Sequence, residues 1–263
     1  MVITSKSNDL IKHVKNLKEK KFREEAQEFC IEGEKLILEA IDENVKIKQI
    51  FIDNGAKDDG KFSNEFLEKI KSFEIVYVTS EIMQILSDVK TPQGVIAVVD
   101  KSQNDVNVDF SQDLFLILDN VQDPGNIGTI LRTVDSLNLK QIIVQKGTCD
   151  VYNPKVVRST MGAIFRVKVI EFNNICDIIK KLRDNNIKIL ATSLESSQSI
   201  YNTDFNHSAI IIGNEANGVS KEVLSLADQN IKIPMLGKTE SLNAAVATGI
   251  VLYEAVRQIK FNN

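Results

Sequence analysis

Three polar, glycine-bearing loops hold the residues whose types and spacing suit chemistry. In the first, Asp119–Arg132, the Asn126 amide stands at the start of a helical stretch and the Arg132 guanidinium about a turn and a half further in. In the second, Gly213-Asn214-Glu215-Ala216-Asn217-Gly218, a carboxylate lies between two glycines at a strand-to-helix turn. In the third, Ile233–Asn243, Ser241 and Asn243 precede a long apolar run. Amides, a carboxylate and a guanidinium can orient a polar substrate and stabilise developing negative charge. Taken singly, each also has an ordinary structural role. Arg132 reads equally as a surface cation with an acidic partner, Glu215 as a capping carboxylate, and Ser241 as the N-cap of the last helix.

Spacing argues against several other chemistries. Gly237-Lys238-Thr239 resembles the end of a P-loop, but the position five residues before Gly237 is Lys232, not glycine. There is neither a G-x-G-x-x-G fingerprint nor a G-x-S-x-G elbow. His13 and His207 lie far apart, with no ligand-spaced cysteines or carboxylates around them, so no metal is expected. Cys30, Cys149 and Cys176 are odd in number and scattered, which suits reduced thiols rather than a disulfide framework.

The elements that must position these loops alternate between strand and helix. Residues 1–100 read as one α/β set, 101–112 as a polar linker, and 113–263 as a second set. Within the first, Ser7–Gln27 reads as one amphipathic helix and Ser80 as a helix cap. In the second, continuous apolar strands separated by helices predict a largely parallel sheet, whose ligands bind beyond the carboxyl ends of the strands. The three loops follow such ends, after Leu118, Ile212 and Ile233. The final helix, Leu242–Lys260, is apolar nearly all round until Glu254 and is expected to be buried on most sides.

A 263-residue chain that is 43% hydrophobic and 26% charged can bury a substantial core. Met1–Ser7 lacks the apolar stretch of a signal peptide and no run is long enough to span a bilayer, so a cytoplasmic location is expected. The net charge is -4, yet residues 1–23 carry seven cations against two acids. Lys12, Lys15, Lys18 and Arg23 in this arm are candidate RNA contacts, with a solvated helix face as the alternative.

Together, and in this order, the three loops resemble the SpoU (TrmH) family of RNA ribose 2′-O-methyltransferases, of the SPOUT class. Asn126 followed six residues later by Arg132 is similar to its first motif. Gly213, Glu215 and Gly218 match the G-x-E-x-x-G of the second, and Ile233, Pro234, Ser241, Leu242 and Asn243 match the third. The likeness covers about Leu114–Lys260. Asn153–Ala163 is similar to the family's intermotif stretch, where Lys155 and Arg158 are candidate phosphate contacts or solvated helix residues. The first 100 residues resemble an L30e-like substrate-binding domain.

The resemblance implies a parallel α/β domain with a deep trefoil knot and a homodimer that completes the site. It implies S-adenosyl-L-methionine as cofactor, its adenine held by backbone near Gly213, Gly218, Ile233 and Leu242. Asn126, Arg132, Glu215, Ser241 and Asn243 would form the catalytic group. Arg132 would meet the ribose or its phosphate, and Glu215 would brace Arg132 or a partner's arginine. The implied substrate is ribosomal RNA, most simply 23S RNA. Transfer RNA, a resistance methylation of the ribosome, and a catalytically silent assembly protein that binds ribosomal RNA are the alternatives.

Overall fold

A computed structural model describes residues 2–101 and 107–261. In chain order the elements are β1 (Val2–Ile3), α1 (Asp9–Asn16), α2 (Lys20–Ala26), β2 (Glu28–Glu32), α3 (Glu34–Asp42), β3 (Ile47–Asp53), α4 (Asn54–Asp58), α5 (Asn64–Lys69), β4 (Ile75–Val78), α6 (Ser80–Leu86) and β5 (Val95–Asp100). There follow β6 (Leu114–Asp119), α7 (Pro124–Ser136), β7 (Gln141–Gln145), α8 (Pro154–Thr160), β8 (Lys168–Phe172), α9 (Ile175–Asp184), β9 (Lys188–Thr192), β10 (Ser208–Gly213), α10 (Lys221–Leu226), β11 (Gln229–Ile231) and α11 (Ala244–Phe261). The chain forms two compact units. One comprises 1–104 and 152–165, the other 105–151 and 166–263. The stretch holding α8 thus packs within the first unit, across the division drawn from the sequence.

The first unit is a five-stranded mixed sheet in the order β1-β4-β3-β5-β2. Both faces are covered, which explains why β5 reads as an unbroken apolar run. Val95, Ala97 and Val99 face a core with Ile37 and Ala40 of α3 and Val157 of α8. Ile96 and Val98 face Ile11 and Val14 of α1 and Ile82, Met83 and Leu86 of α6.

The single amphipathic helix expected over Ser7–Gln27 is two helices. The break at Leu17-Lys18-Glu19 is stabilised by Arg23, whose Nη1 donates to the carbonyls of Leu17 and Lys18 at 2.7 Å each. Arg23 is only 2% exposed. A buried guanidinium that satisfies helix-end carbonyls is a structural group, so its assignment to RNA is corrected. Lys18 is likewise engaged within its own unit, donating to the carbonyls of Ile85 and Ser87 and pairing with Asp88 at 3.3 Å. Lys12 pairs with Asp9, and Lys15 is exposed. The cap of α6 is Thr79, whose hydroxyl faces the Ile82 N–H, rather than Ser80, which bonds Asp53.

The second unit is a six-stranded, wholly parallel sheet in the order β11-β9-β10-β6-β7-β8. One face packs on Ile175, Ile178, Ile179 and Leu182 of α9 and Val223 of α10. Helices α7 and α11 pack on each other away from that face. The expected linker 101–112 falls partly outside the described residues, at 102–106. Its later part is held rather than free: the Gln141 side chain exchanges two hydrogen bonds with the backbone of Asp109, and Phe110 packs beside Phe115. Among the described residues, no helix is long and apolar enough to cross a membrane.

Candidate active site

In the six-stranded sheet β6 and β10 are neighbours, with Gly213 opposite Asp119. The chain leaves β6 toward β7 on one side and leaves β10 toward β11 on the other. The gap between their carboxyl ends is therefore the switch point where open α/β sheets bind ligands. Loops one and two both start there. Buried Asp119 ties them at the base, accepting the Ser220 N–H at 2.9 Å, and the Asn214 amide donates to the Asn120 carbonyl at 2.9 Å.

Glu215 joins the loops higher up. Its Oε1 accepts from Asn126 Nδ2 at 2.8 Å and from the Asp123 N–H at 3.1 Å, and its Oε2 accepts the Gln122 N–H at 3.0 Å. Partial burial opposes its charge. The Asn126 amide and the two backbone N–H groups outweigh that and hold the carboxyl below its ordinary range. These partners all belong to loop one and none is this chain's own Arg132, so the expected brace to that arginine is corrected: within one chain the carboxylate clamps the backbone of loop one.

The network continues into loop three. Oδ1 of Asn126 accepts from Asn243 Nδ2 at 2.8 Å. Asn243 is also the N-cap of α11, its Oδ1 accepting the N–H groups of Ala245 and Val246 at 3.0 and 3.3 Å. Ser241, expected in that role, is exposed and lies outside the first turn. An amide serves better there, because Asn243 caps with its oxygen while its nitrogen reaches Asn126.

Arg132 is exposed, and among the described residues it has no hydrogen-bond or ion-pair partner. It stands about 240° round α7 from Asn126 and about 9 Å along the axis, so the two side chains leave the helix in different directions. On the neighbouring helix, α11, Val246 is 51% and Tyr253 55% exposed, and a Cβ added at Gly249 would meet nothing within 4 Å. The apolar final helix is thus buried on one side only.

Two glycines of loop two have different reasons to be glycine. A Cβ at Gly213 would lie 2.1 Å from the Gly218 carbonyl carbon and the Val219 nitrogen, because the loop folds back onto the strand end. Gly218 faces open space but has φ +68°, in the left-handed region. The pair closes a tight turn, with Asn214 and Gly218 exchanging backbone hydrogen bonds at 3.0 and 2.9 Å.

A fourth segment at this end of the sheet was missed by sequence reasoning. Residues 193–200, after β9, run along the end of β11. Ser193 N–H donates to Ile231, Lys232 N–H to Gln198, and Ile200 N–H to Lys232, at 2.8–2.9 Å. The signal was its place after a strand, but its serine-rich composition reads as an ordinary connection. Beyond it, Ile233–Leu242 makes no hydrogen bond within the described residues, and Leu236 is fully exposed. Ten consecutive residues with free main-chain groups suit a ligand held by backbone. No group of acidic, histidine or cysteine side chains suited to a metal occurs among the described residues.

Comparison with known proteins agrees with this geometry. Residues 8–97 match the MRM3-like substrate binding domain. The 23S rRNA (guanosine(2553)-2'-O)-methyltransferase RlmP of Bacillus subtilis (strain 168) is 31% identical, over 95% of this chain and 97% of its own. The 23S rRNA (uridine(2479)-2'-O)-methyltransferase of Streptomyces viridochromogenes is 32% identical, over 90% and 85%. A crystal structure of an AdoMet-bound rRNA methyltransferase from Sinorhizobium meliloti superposes with a TM-score of 0.86 at 29% identity, covering 98% of each chain. The loops described above all lie within residues 113–253, which match the SpoU rRNA methylase family, and the chain belongs to that family.

Proposed function

We propose that this protein transfers a methyl group from S-adenosyl-L-methionine to a ribose 2′-hydroxyl of 23S ribosomal RNA. The observation that carries the reading is the hydrogen-bonded line Asn243–Asn126–Glu215, which joins all three loops at the switch point. It stands beside a run of free backbone at Ile233–Leu242, a suitable cradle for an adenine. Two relatives similar along nearly the whole chain bear names of this activity.

When bound, the cofactor supplies an electrophilic methyl group on a sulfonium. Backbone at Gly213, Gly218, Ile233 and Leu242 would hold it, with the chain around loop three threaded as a trefoil knot. Asn126 is bonded at both ends of its amide, so it acts as a strut that keeps the loops in register. Glu215 stays ionised and keeps Gln122 and Asp123 in place. Arg132 is the group free to meet the substrate. A guanidinium keeps its proton, so its contribution is electrostatic: it stabilises the oxygen as negative charge develops.

The direction of Arg132 away from Asn126 suits a homodimer in which each copy completes the other's site. The exposed face of α11, with Val246, Gly249 and Tyr253, would form the seam. RNA would be held by residues 1–100, and the protein would work in the cytoplasm, where ribosomes are made.

The test is transfer of tritiated methyl from S-adenosyl-L-methionine to 23S RNA from cells lacking the gene, followed by mapping of the modified ribose. Labelling at one 2′-oxygen, absent when the RNA comes from wild-type cells that already carry the methyl group, supports the reading. Cofactor binding without transfer to ribosomal RNA would favour transfer RNA or a silent binding role.

A further inference from the structure

Loop one is fastened on two sides. Glu215 of loop two holds it on one side, through the Gln122 and Asp123 N–H groups. On the other side lies the turn that leaves β7, Gln145-Lys146-Gly147-Thr148, closed by the Thr148 N–H on the Gln145 carbonyl at 3.0 Å. β7 is the neighbour of β6 on the side away from β10. The turn therefore stands one strand spacing, about 4.8 Å, from the origin of loop one. The fastening runs through the Gln122 side chain, whose Nε2 donates to the Gly147 carbonyl at 2.5 Å and to Oδ1 of Asn120 at 2.7 Å. Beside it the Cys149 N–H donates to the Val121 carbonyl at 2.9 Å, and the Lys146 N–H to the Phe172 carbonyl of β8 at 2.8 Å. The approach is close: a Cβ at Gly147 would lie 3.1 Å from Oδ1 of Asn120, and the two residues have φ of +103° and +63°.

Neither Lys146 nor Gly147 adds to a core, since both are exposed. What the fixed turn presents is the Lys146 ammonium, which has no hydrogen-bond or ion-pair partner among the described residues. The carboxylates of the adjoining loops are engaged elsewhere. Asp119 holds the Ser220 N–H, Asp123 caps α7 and Glu215 clamps loop one. Lys155 and Arg158, the cations marked from the sequence, belong with α8 to the first unit, whereas Lys146 belongs to the second, with the site. An uncommitted cation on a rigid turn, one strand from the switch point, suits an anion held beside the reacting group. Phosphate is the anion that every nucleotide of an RNA strand brings.

The geometry points to Lys146 as the contact to a backbone phosphate beside the methylated ribose, with Gln122 as the residue that positions it. This rests on the RNA methyltransferase reading. A lysine meets phosphate as a point charge, so it fixes where the strand lies without reading its sequence. The contact is the same before and during methyl transfer, so its loss should raise KM and leave kcat unchanged. Gln122 touches no phosphate itself and acts through the turn it holds.

The test uses the full-length protein and a 23S RNA transcript, followed by methyl transfer and, without S-adenosyl-L-methionine, by binding from about 50 to 200 mM salt. Lys146→Ala should raise KM for RNA about fivefold with kcat within about twofold. It should also flatten the slope of log affinity against log salt by about 0.7 to 0.9, the share of one phosphate. Lys146→Arg keeps the charge and should match the parent in both. Gln122→Ala should show the same rise in KM at unchanged kcat. In the double variant the losses should not multiply, leaving KM about fivefold above the parent rather than about twenty-fivefold. Lys180→Ala, at an exposed lysine on α9, is the control and should stay within about twofold of the parent, as should S-adenosyl-L-methionine affinity in every variant. A Lys146→Ala protein with parental KM and slope overturns the proposal, as does equal weakening in the control. Multiplied losses overturn the positioning role of Gln122, and so does a fall in kcat or cofactor affinity, which a general lesion of loop one would give. If the parent methylates ribosomal RNA and Lys146→Ala does so equally well, the phosphate contact fails and the enzyme reading stands. If the salt slope of RNA binding depends on Lys146 but no methyl group is transferred, the contact stands and the enzyme reading fails.

Discussion

The Asn243 side-chain amide donates to Oδ1 of Asn126 at 2.8 Å, joining residues 117 positions apart, while the Asn243 oxygen caps α11. Two substitutions separate these tasks. Asn243→Ala loses both, and the missing cap alone should cost about 1 kcal/mol of stability. Asn243→Asp keeps a good cap but sets a carboxylate against the Asn126 oxygen. It should unfold near the parent temperature and bind S-adenosyl-L-methionine at least tenfold more weakly. Thermal unfolding and calorimetric titration check the pair, and equal affinity loss with equal destabilisation in both would contradict the division of labour.

The Glu215 clamp has a pH signature. Hydrogen bonds to the ionised form depress its folded pKa below the ordinary 4.5 despite the opposing effect of burial. A depressed carboxyl contributes stability that is fully present above the unfolded pKa and is lost as pH falls through the folded one. Glu215→Gln should therefore be less stable than the parent at neutral pH, by about 1 kcal/mol after allowing for exposure. The gap should persist at pH 5 and close only below the ordinary carboxylate range. Denaturant unfolding of both proteins from pH 3 to 8 measures it.

Gly213 and Gly218 should respond differently to alanine. At Gly213 the new methyl would meet backbone at 2.1 Å, so the turn itself must move. A loss of about 3 kcal/mol or more is expected, at the upper end of overpacking costs. At Gly218 there is room, and the cost is that of a left-handed φ, about 1 kcal/mol. Differential scanning calorimetry should rank them in that order, and the reverse order would contradict the close approach.

Arg23→Met should behave as a core lesion. It strips the Leu17 and Lys18 carbonyls of their partner and should cost about 2 kcal/mol, in keeping with removal of a charged donor from buried acceptors. The slope of RNA affinity against log salt should not change, since Arg23 neutralises no phosphate. A flattened slope would restore Arg23 to the RNA surface.

The parts of the site that were legible in the sequence are those whose residue types are unusual for their place. A carboxylate between two glycines after a β-branched strand marked Gly213, Glu215 and Gly218. The parallel sheet was legible because β6 and β10 are apolar on both faces, which follows from burial under helices on two sides. What stayed hidden depends on where a side chain reaches after folding. Arg23 sits in a basic run and reads as surface until its guanidinium is seen to end α1 and steady the break before α2. Ser241 and Asn243 are both acceptable N-caps, and only the cross-loop bond to Asn126 makes Asn243 the better one. Tyr152–Phe165 lies between two strands of one sheet yet packs in the other unit, a choice made by Val157 and its partners Phe29 and Ile31 rather than by any local propensity.

Arg132→Ala should abolish methyl transfer while S-adenosyl-L-methionine affinity stays within twofold, because this side chain touches none of the three loops' hydrogen bonds. Its direction, about 120° from Asn126 by the shorter way round α7, then permits a stricter experiment on which copy of the chain supplies the guanidinium. Arg132→Ala and Asn243→Asp proteins are mixed in equal amounts and allowed to exchange subunits. If each site takes Arg132 from the other copy, mixed dimers hold one complete site: an intact cofactor pocket from the first variant and a guanidinium from the second. Random exchange makes half the dimers mixed, so at an S-adenosyl-L-methionine concentration low enough to leave the Asn243→Asp pocket largely empty, about a quarter of parental activity should return from two proteins that are separately near background. If the guanidinium serves its own pocket, no mixture contains a complete site, and activity stays at the level of the separate variants even when exchange is verified by differential tagging.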